Sequence, residues 1–312
     1  MTDQILNLKE KVKMRKKIVN SLLIFVFIFL FNSFISVQNA ISNTKKNFLW
    51  KVQSKTNTLY ILGSVHFLKK EMYPLNKKIE DSFDKSEVLV VEANINDIGQ
   101  IDIQRLLETA FYSGNETLEK HVSRETYELV KKEFGGLGVP LELINKQKPW
   151  FLALTLTSLE LLKLGFDPNY GIDIYFLSKA TGGKKIKELE SIDYQINLFS
   201  KFSDDDQELF LLYTLKDINV LGRELDKLME AWTSGDTKSM ESIISKSITE
   251  DRKMSLIYEK IIYERNRNMA VRIEELLKTK ETHFVIVGAG HLIGNKGIIE
   301  ILRGKGYDVE QL

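Results

Sequence analysis

"FVIVGAGHLIG", residues 284–294, carries an unbroken apolar run into a glycine and places a histidine three positions further on. "YILGSVHFL", residues 60–68, repeats that arrangement far upstream. A short apolar run ending at glycine reads as a buried strand that stops at a turn. The chain has 4 histidines, and His66 and His291 occupy these two Gly-x-x-His turns, behind Gly63 and Gly288.

"FLWKVQ" and "TLYILGS" flank a Lys-Thr-Asn turn and predict a β-hairpin. "PLNKKIEDSFDKS" has apolar residues at helical spacing, and "EVLVVEAN" follows as a buried strand ending at Glu92. Residues 100–165 read as several helices, one of them "SRETYELVKKEF" behind a serine cap. "YGIDIYFLSKATGG" predicts a helix closed by a glycine pair, and "KIKELE" a short strand before Glu190. From Asp204 to Lys278 the pattern is helical, with a break at "TSGDT" where Trp232 enters the core and Asp236 starts the next helix. "HFVIVGAG", a helix through "KGIIEILRGK" and the strand "YDVEQL" close the order. The fold class is α/β (or α+β), a mixed central sheet with a large helical insertion.

Composition narrows the chemistry. With 312 residues and 43% hydrophobic side chains the chain can build a sizeable core. A net charge of +1 gives no reason to expect a nucleic-acid partner. There is no cysteine, so disulfides, thiolate metal sites, thiol catalysis and a lipoprotein anchor are excluded. "KEKVKMRKK", residues 9–17, precedes the apolar "IVNSLLIFVFIFLFNSFISV", residues 18–37. That is the pattern of a signal peptide or an N-terminal membrane anchor over residues 1–42, with its basic flank in the cytoplasm. Residues 43–312 are then expected to be one extracytoplasmic domain.

In open α/β sheets, binding groups gather just beyond the carboxyl ends of strands. His66, Glu92, Glu190 and His291 all follow apolar runs at that position. Two imidazoles and a carboxylate suit a divalent metal that activates water, and a further glutamate suits a general base. Taken singly, each Gly-x-x-His is an ordinary turn and Glu92 a satisfied strand-end residue. His121 reads as a surface residue, His283 lies at the wrong end of its strand, and Asp173 reads as capping or flanking a helix. Arg265 in "YERNRNMA" reads as a helix charge. "GAGHLIG" also looks like a dinucleotide loop with Glu310 as the ribose acid, but it carries a histidine where a phosphate would approach. The chain has no serine nucleophile elbow and no Walker A loop.

The ordered set "LYILGSVHFL", "YGIDIYFLSKA", "KELESIDYQINLF", "AWTSGD", "ERNRNMAVRI" and "FVIVGAGHLIGNKGIIEILRGKGYDV" resembles the TraB/PrgY/GumN family. The resemblance spans roughly residues 48–312 and reaches the Tiki-like metalloprotease superfamily and erythromycin-esterase-like hydrolases. It implies one domain in which both histidine turns meet acidic residues, with motif positions at Gly63, His66, Glu92, Glu190, Gln195, Arg265, Gly288 and His291. Gln195 and the site role of Arg265 come from the resemblance alone. The expectation is an extracytoplasmic metal-dependent hydrolase acting on a peptide or protein. His66, Glu92 and His291 would be metal ligands, Glu92, Glu190 and Arg265 catalytic groups, and Gln195 a supporting one. Manganese, cobalt and zinc suit such ligands equally. The rival is a non-catalytic extracytoplasmic protein that sequesters a peptide or small ligand, and the blander third option is a scaffold with structural histidines.

Overall fold

A computed structural model describes residues 46–95, 103–249 and 252–312. The expected leader or anchor over residues 1–42 lies outside the described residues. Among those described, no helix is long and apolar enough to cross a membrane. The strands are β1 (Leu49–Gln53), β2 (Thr58–Ser64), β3 (Val88–Val91), β4 (Lys185–Glu188), β5 (His283–Gly288) and β6 (Asp308–Gln311). They form one six-stranded mixed sheet in the order β4-β3-β5-β2-β1-β6.

The two glycine-ended runs are neighbours. β2 pairs in parallel with β5, Gly63 opposite Val287 and Ser64 opposite Gly288. β3 pairs in parallel with both β5 and β4. The antiparallel part is the predicted hairpin of β1 and β2, to which β6 adds on the far side of β1. Its turn is held by Ser54, whose Oγ accepts from the Asn57 N–H at 2.9 Å.

Helices fill two long connections, residues 103–180 between β3 and β4 and residues 192–249 and 252–277 between β4 and β5. They bury the inner strands on both faces, which is why Val88–Val91 and Phe284–Val287 are apolar without alternation. Phe83, Phe176 and Phe284 stack at the sheet, with ring centroids 4.8–5.5 Å apart. Helix Pro149–Lys163 is apolar nearly all round because it runs through the interior, and its Thr157 and Ser158 hydroxyls donate back to Ala153 O and Leu154 O. The serine cap is present: Ser123 Oγ accepts from Thr126 N at the start of helix Arg124–Gly136. The break at "TSGDT" is a left-handed Gly235 (φ 67°) ending helix Leu221–Ser234, and Asp236 caps the next helix through Lys238 N and Ser239 N.

The topology fixes where chemistry can occur. β2, β3, β4 and β5 run in one direction, so their carboxyl ends share one sheet edge. His66, Glu92, Glu190 and His291 are the residues just beyond those ends.

Candidate active site

Arg265 is the hub of the site. It projects from helix Glu264–Leu277 and is 3% exposed. Its Nη2 donates to Glu92 Oε2 at 2.6 Å and to Glu190 Oε2 at 2.7 Å, and its Nε to Glu190 Oε1 at 3.0 Å. Nη1 donates to Ile261 O at 3.1 Å. Gln195, fully buried on helix Ile192–Ser200, donates to Glu190 Oε2 at 2.8 Å. Two buried carboxylates thus face one guanidinium. Burial pushes the Glu92 carboxyl above its ordinary range; Arg265 pulls it down and the neighbouring Glu190 charge adds to the rise.

Both histidines lie within electrostatic reach of this cluster. His291 lies in the short helix Ala289–Leu292 that follows β5, its Nε2 3.9 Å from Glu92 Oε1. Its Nδ1 is 2.6 Å from Asn266 Oδ1. Burial, with the charges of Arg265 and His66 behind it, holds this imidazole well below its ordinary pKa, so it is neutral. His66 Nδ1 is 2.5 Å from Asp173 Oδ2. Burial alone would lower the His66 pKa, but the charge and hydrogen bond of Asp173, with Glu92 behind, leave it raised.

The turn glycines act through space. A Cβ on Gly63 would come 2.5 Å from Phe48 Cδ1, and the Gly63 carbonyl accepts from Trp232 Nε1 at 2.7 Å. Gly288 N donates to Glu92 Oε1 at 2.5 Å, fixing the carboxylate oxygen that faces His291.

Asp173 and Asn266 were not among the expected site residues. Asp173 does not cap helix Ile172–Ala180, whose cap is Gly171; it sits in the first turn and reaches His66. Gly171 packs against the His66 carbonyl, so a Cβ there would lie 2.3 Å from that oxygen. Backbone cannot yield as a side chain can. We expect Gly171→Ala to cost about 1–3 kcal/mol, read as a lowered melting temperature; an unchanged melt would contradict this close approach. Asn266 shared the bland reading of its helix. Arg265 and Asn266 are adjacent, and a π-helical turn over Glu259–Tyr263 precedes them, a distortion common at functional sites.

Of the other histidines, His121 stacks on Tyr112 (centroids 4.2 Å) with Nε2 3.0 Å from Glu116 Oε2. His283 is buried at the opposite end of β5. Neither belongs to the cluster.

The model of the TraB/PrgY/gumN family matches residues 48–311. The chain belongs to this family. It is similar to the uncharacterized protein YbaP of Escherichia coli, 25% identical over 78% of this chain and 87% of the relative. It is also similar to a metalloprotease TIKI homolog of Amphimedon queenslandica, 24% identical over 86% of this chain and 62% of the relative. A metalloprotease TIKI homolog of Nematostella vectensis is 23% identical over 86% of this chain and 68% of that relative. No solved structure matches the chain.

The metal that such relatives' names imply can be tested against these side chains. Among the described residues, no three His, Asp or Glu side chains stand as a ready ligand group. The donor chemistry nevertheless suits a divalent ion. His291 Nε2 and Glu92 Oε1, 3.9 Å apart, are within the span of two bonds of about 2.0–2.2 Å to one ion. Glu92 and Glu190 share a single guanidinium, so with both carboxylates ionised one negative charge is left that a cation would offset.

Proposed function

We propose that this chain is a metal-dependent hydrolase that cleaves peptide bonds in a peptide or protein outside the cytoplasmic membrane. The observation that carries this reading is the meeting, beyond four parallel strand ends, of two imidazoles held at Nδ1 and two buried carboxylates on one arginine. Relatives named metalloproteases support the reaction class. The basic flank and apolar run of residues 9–37 support placement outside that membrane.

His66, His291 and Glu92 would hold the ion, and manganese, cobalt and zinc all suit nitrogen and oxygen donors. Such an ion lowers the pKa of a bound water and polarises a carbonyl. Glu190 accepts from Arg265 Nε and Nη2 and from Gln195, so its lone pairs are committed to holding the guanidinium. Glu92 faces His291 with one oxygen and is the carboxylate better placed to ligate or to take a proton. Arg265 bridges the two carboxylates and keeps them at fixed positions.

The test is to incubate the purified chain with manganese, cobalt or zinc and a mixed peptide library, and to identify products by mass spectrometry. Cleavage that stops on chelation supports the hydrolase. Saturable peptide binding with no product under any metal would move the protein to the sequestering role.

A pH dependence follows from His66. Asp173 keeps its proton on at a pH where an ordinary imidazole has lost it, and a metal ligand must be unprotonated. Metal affinity should therefore fall as pH drops and keep rising above pH about 6.5, by up to roughly tenfold per unit while one proton is displaced. Calorimetry in buffers of different ionisation enthalpy counts that proton; release of none through the neutral range would remove His66 from the ligand set.

A further inference from the structure

The two histidine turns look equivalent in sequence, but their imidazoles are held by different groups on different helices. We propose that Asp173 and Asn266 are a matched pair of positioning residues, each locking one imidazole through Nδ1 so that Nε2 is the nitrogen presented to a ligand. The inference rests on the hydrolase reading for what that ligand is, and on geometry alone for the locking.

For His291 the hydrogen-bond chain leaves one solution. Asn266 Nδ2 donates to the Lys296 carbonyl at 2.9 Å. A carbonyl accepts and cannot donate, so the amide nitrogen is on that side and Oδ1 faces the ring. Oδ1 in turn can only accept, so His291 Nδ1 carries the hydrogen across the 2.6 Å contact. In the neutral ring the lone pair is then on Nε2, which faces Glu92. The Asp173 carboxylate accepts, so His66 Nδ1 at 2.5 Å carries the hydrogen. Asp173 is 8% and Asn266 0% exposed, so neither contact is in competition with bulk water.

Each locking residue is itself braced. Asp173 lies in the first turn of a helix whose Ile172 N donates to Val65 O at 3.1 Å, and Gly171 packs on the His66 carbonyl, so the helix that carries the carboxylate is tied to the turn that carries the ring. Asn266 follows Arg265 directly on its helix, which ties the His291 lock to the Glu92–Glu190 clamp. Outer partners that orient ligating histidines through the second ring nitrogen commonly matter about 10–100-fold in metal affinity.

The pair also predicts its own rescue. An amide oxygen suffices at His291, so an amide should suffice at His66. With 4 histidines in the chain, selective labelling gives a resolvable spectrum. The experiment uses the full chain in detergent, labelled with 15N-histidine, comparing the parent with Asp173→Ala, Asp173→Asn and Asn266→Ala. Without metal, the parent should show His66 and His291 with hydrogen fixed on Nδ1. Asp173→Ala should release His66 alone, Asn266→Ala should release His291 alone, and Asp173→Asn should keep Nδ1 of His66 protonated. Zinc and manganese titrations should then show affinity reduced about 10–100-fold in each alanine variant and largely regained in Asp173→Asn. Unchanged ring shifts in both alanine variants would overturn the proposal, as would an Asp173→Asn variant no better than Asp173→Ala. A parent that binds neither metal would remove the hydrolase reading, while the ring shifts would still decide whether Asp173 and Asn266 lock the imidazoles.

Discussion

Arg265→Ala should be the most destabilising single change in the cluster. The guanidinium makes hydrogen bonds to both Glu92 and Glu190 and is 3% exposed, so its removal strands two carboxylates in the interior without a counter-charge. Breaking a buried ion pair from one side costs about 3–5 kcal/mol, and here two anions lose their partner together. For a domain of this size that corresponds to a fall in melting temperature of roughly 10 °C. Arg265→Lys should recover part of the loss, because lysine restores charge but not the planar fork that reaches Glu190 through two nitrogens. Thermal melts of the three proteins read this directly. An alanine variant that melts with the parent would mean that the carboxylates are not held by the guanidinium at all.

His66→Ala and His291→Ala, each alone, should cost at least about 100-fold in metal-dependent cleavage. Both should also lose the tight metal site. The two rings enter the cluster from β2 and β5, so neither can stand in for the other. Their melting temperatures should move less than in Arg265→Ala, since each leaves one polar partner exposed to loss and not two charges. Full turnover in both single variants would remove the paired histidines from the reaction.

What could be read ahead of the structure, and what could not, divides along chain distance. Apolar runs without alternation mark β2, β3 and β5, and the polar residue after each run is a local signal, so His66, Glu92 and His291 are legible one strand at a time. Glu190 follows β4, a strand of only four residues, and is legible for the same reason. Arg265 carries no such mark: "YERNRNMA" has the composition of a solvated helix, and its burial is decided by carboxylates at Glu92 and Glu190. Its place in the site came from the family resemblance. Asp173 and Asn266 were missed because both are helix residues whose partners lie 107 and 25 positions away in the chain, and polar residues early in a helix are common for reasons unrelated to a site. The glycine pair in "YGIDIYFLSKATGG" correctly ended a helix, yet the telling glycine there was Gly171, pressed on the His66 carbonyl.

The strand order has a bearing on the birth of the molecule. β5 is wedged between β2 and β3, yet β3 ends at Val91 and β5 begins at His283. A ribosome therefore releases β2 and β3 long before the strand that joins them, and each waits with an open flank on the side β5 will occupy. Contacts of such long sequence separation form late. The same docking event that seals the sheet brings His291 to Glu92, so a half-made chain holds the acids and one imidazole but no complete site. Hydrogen exchange during refolding would follow this: protection of β2 and β3 amides rises with that of β5. The last central strand to arrive is both the keystone of the sheet and the part that completes the candidate site.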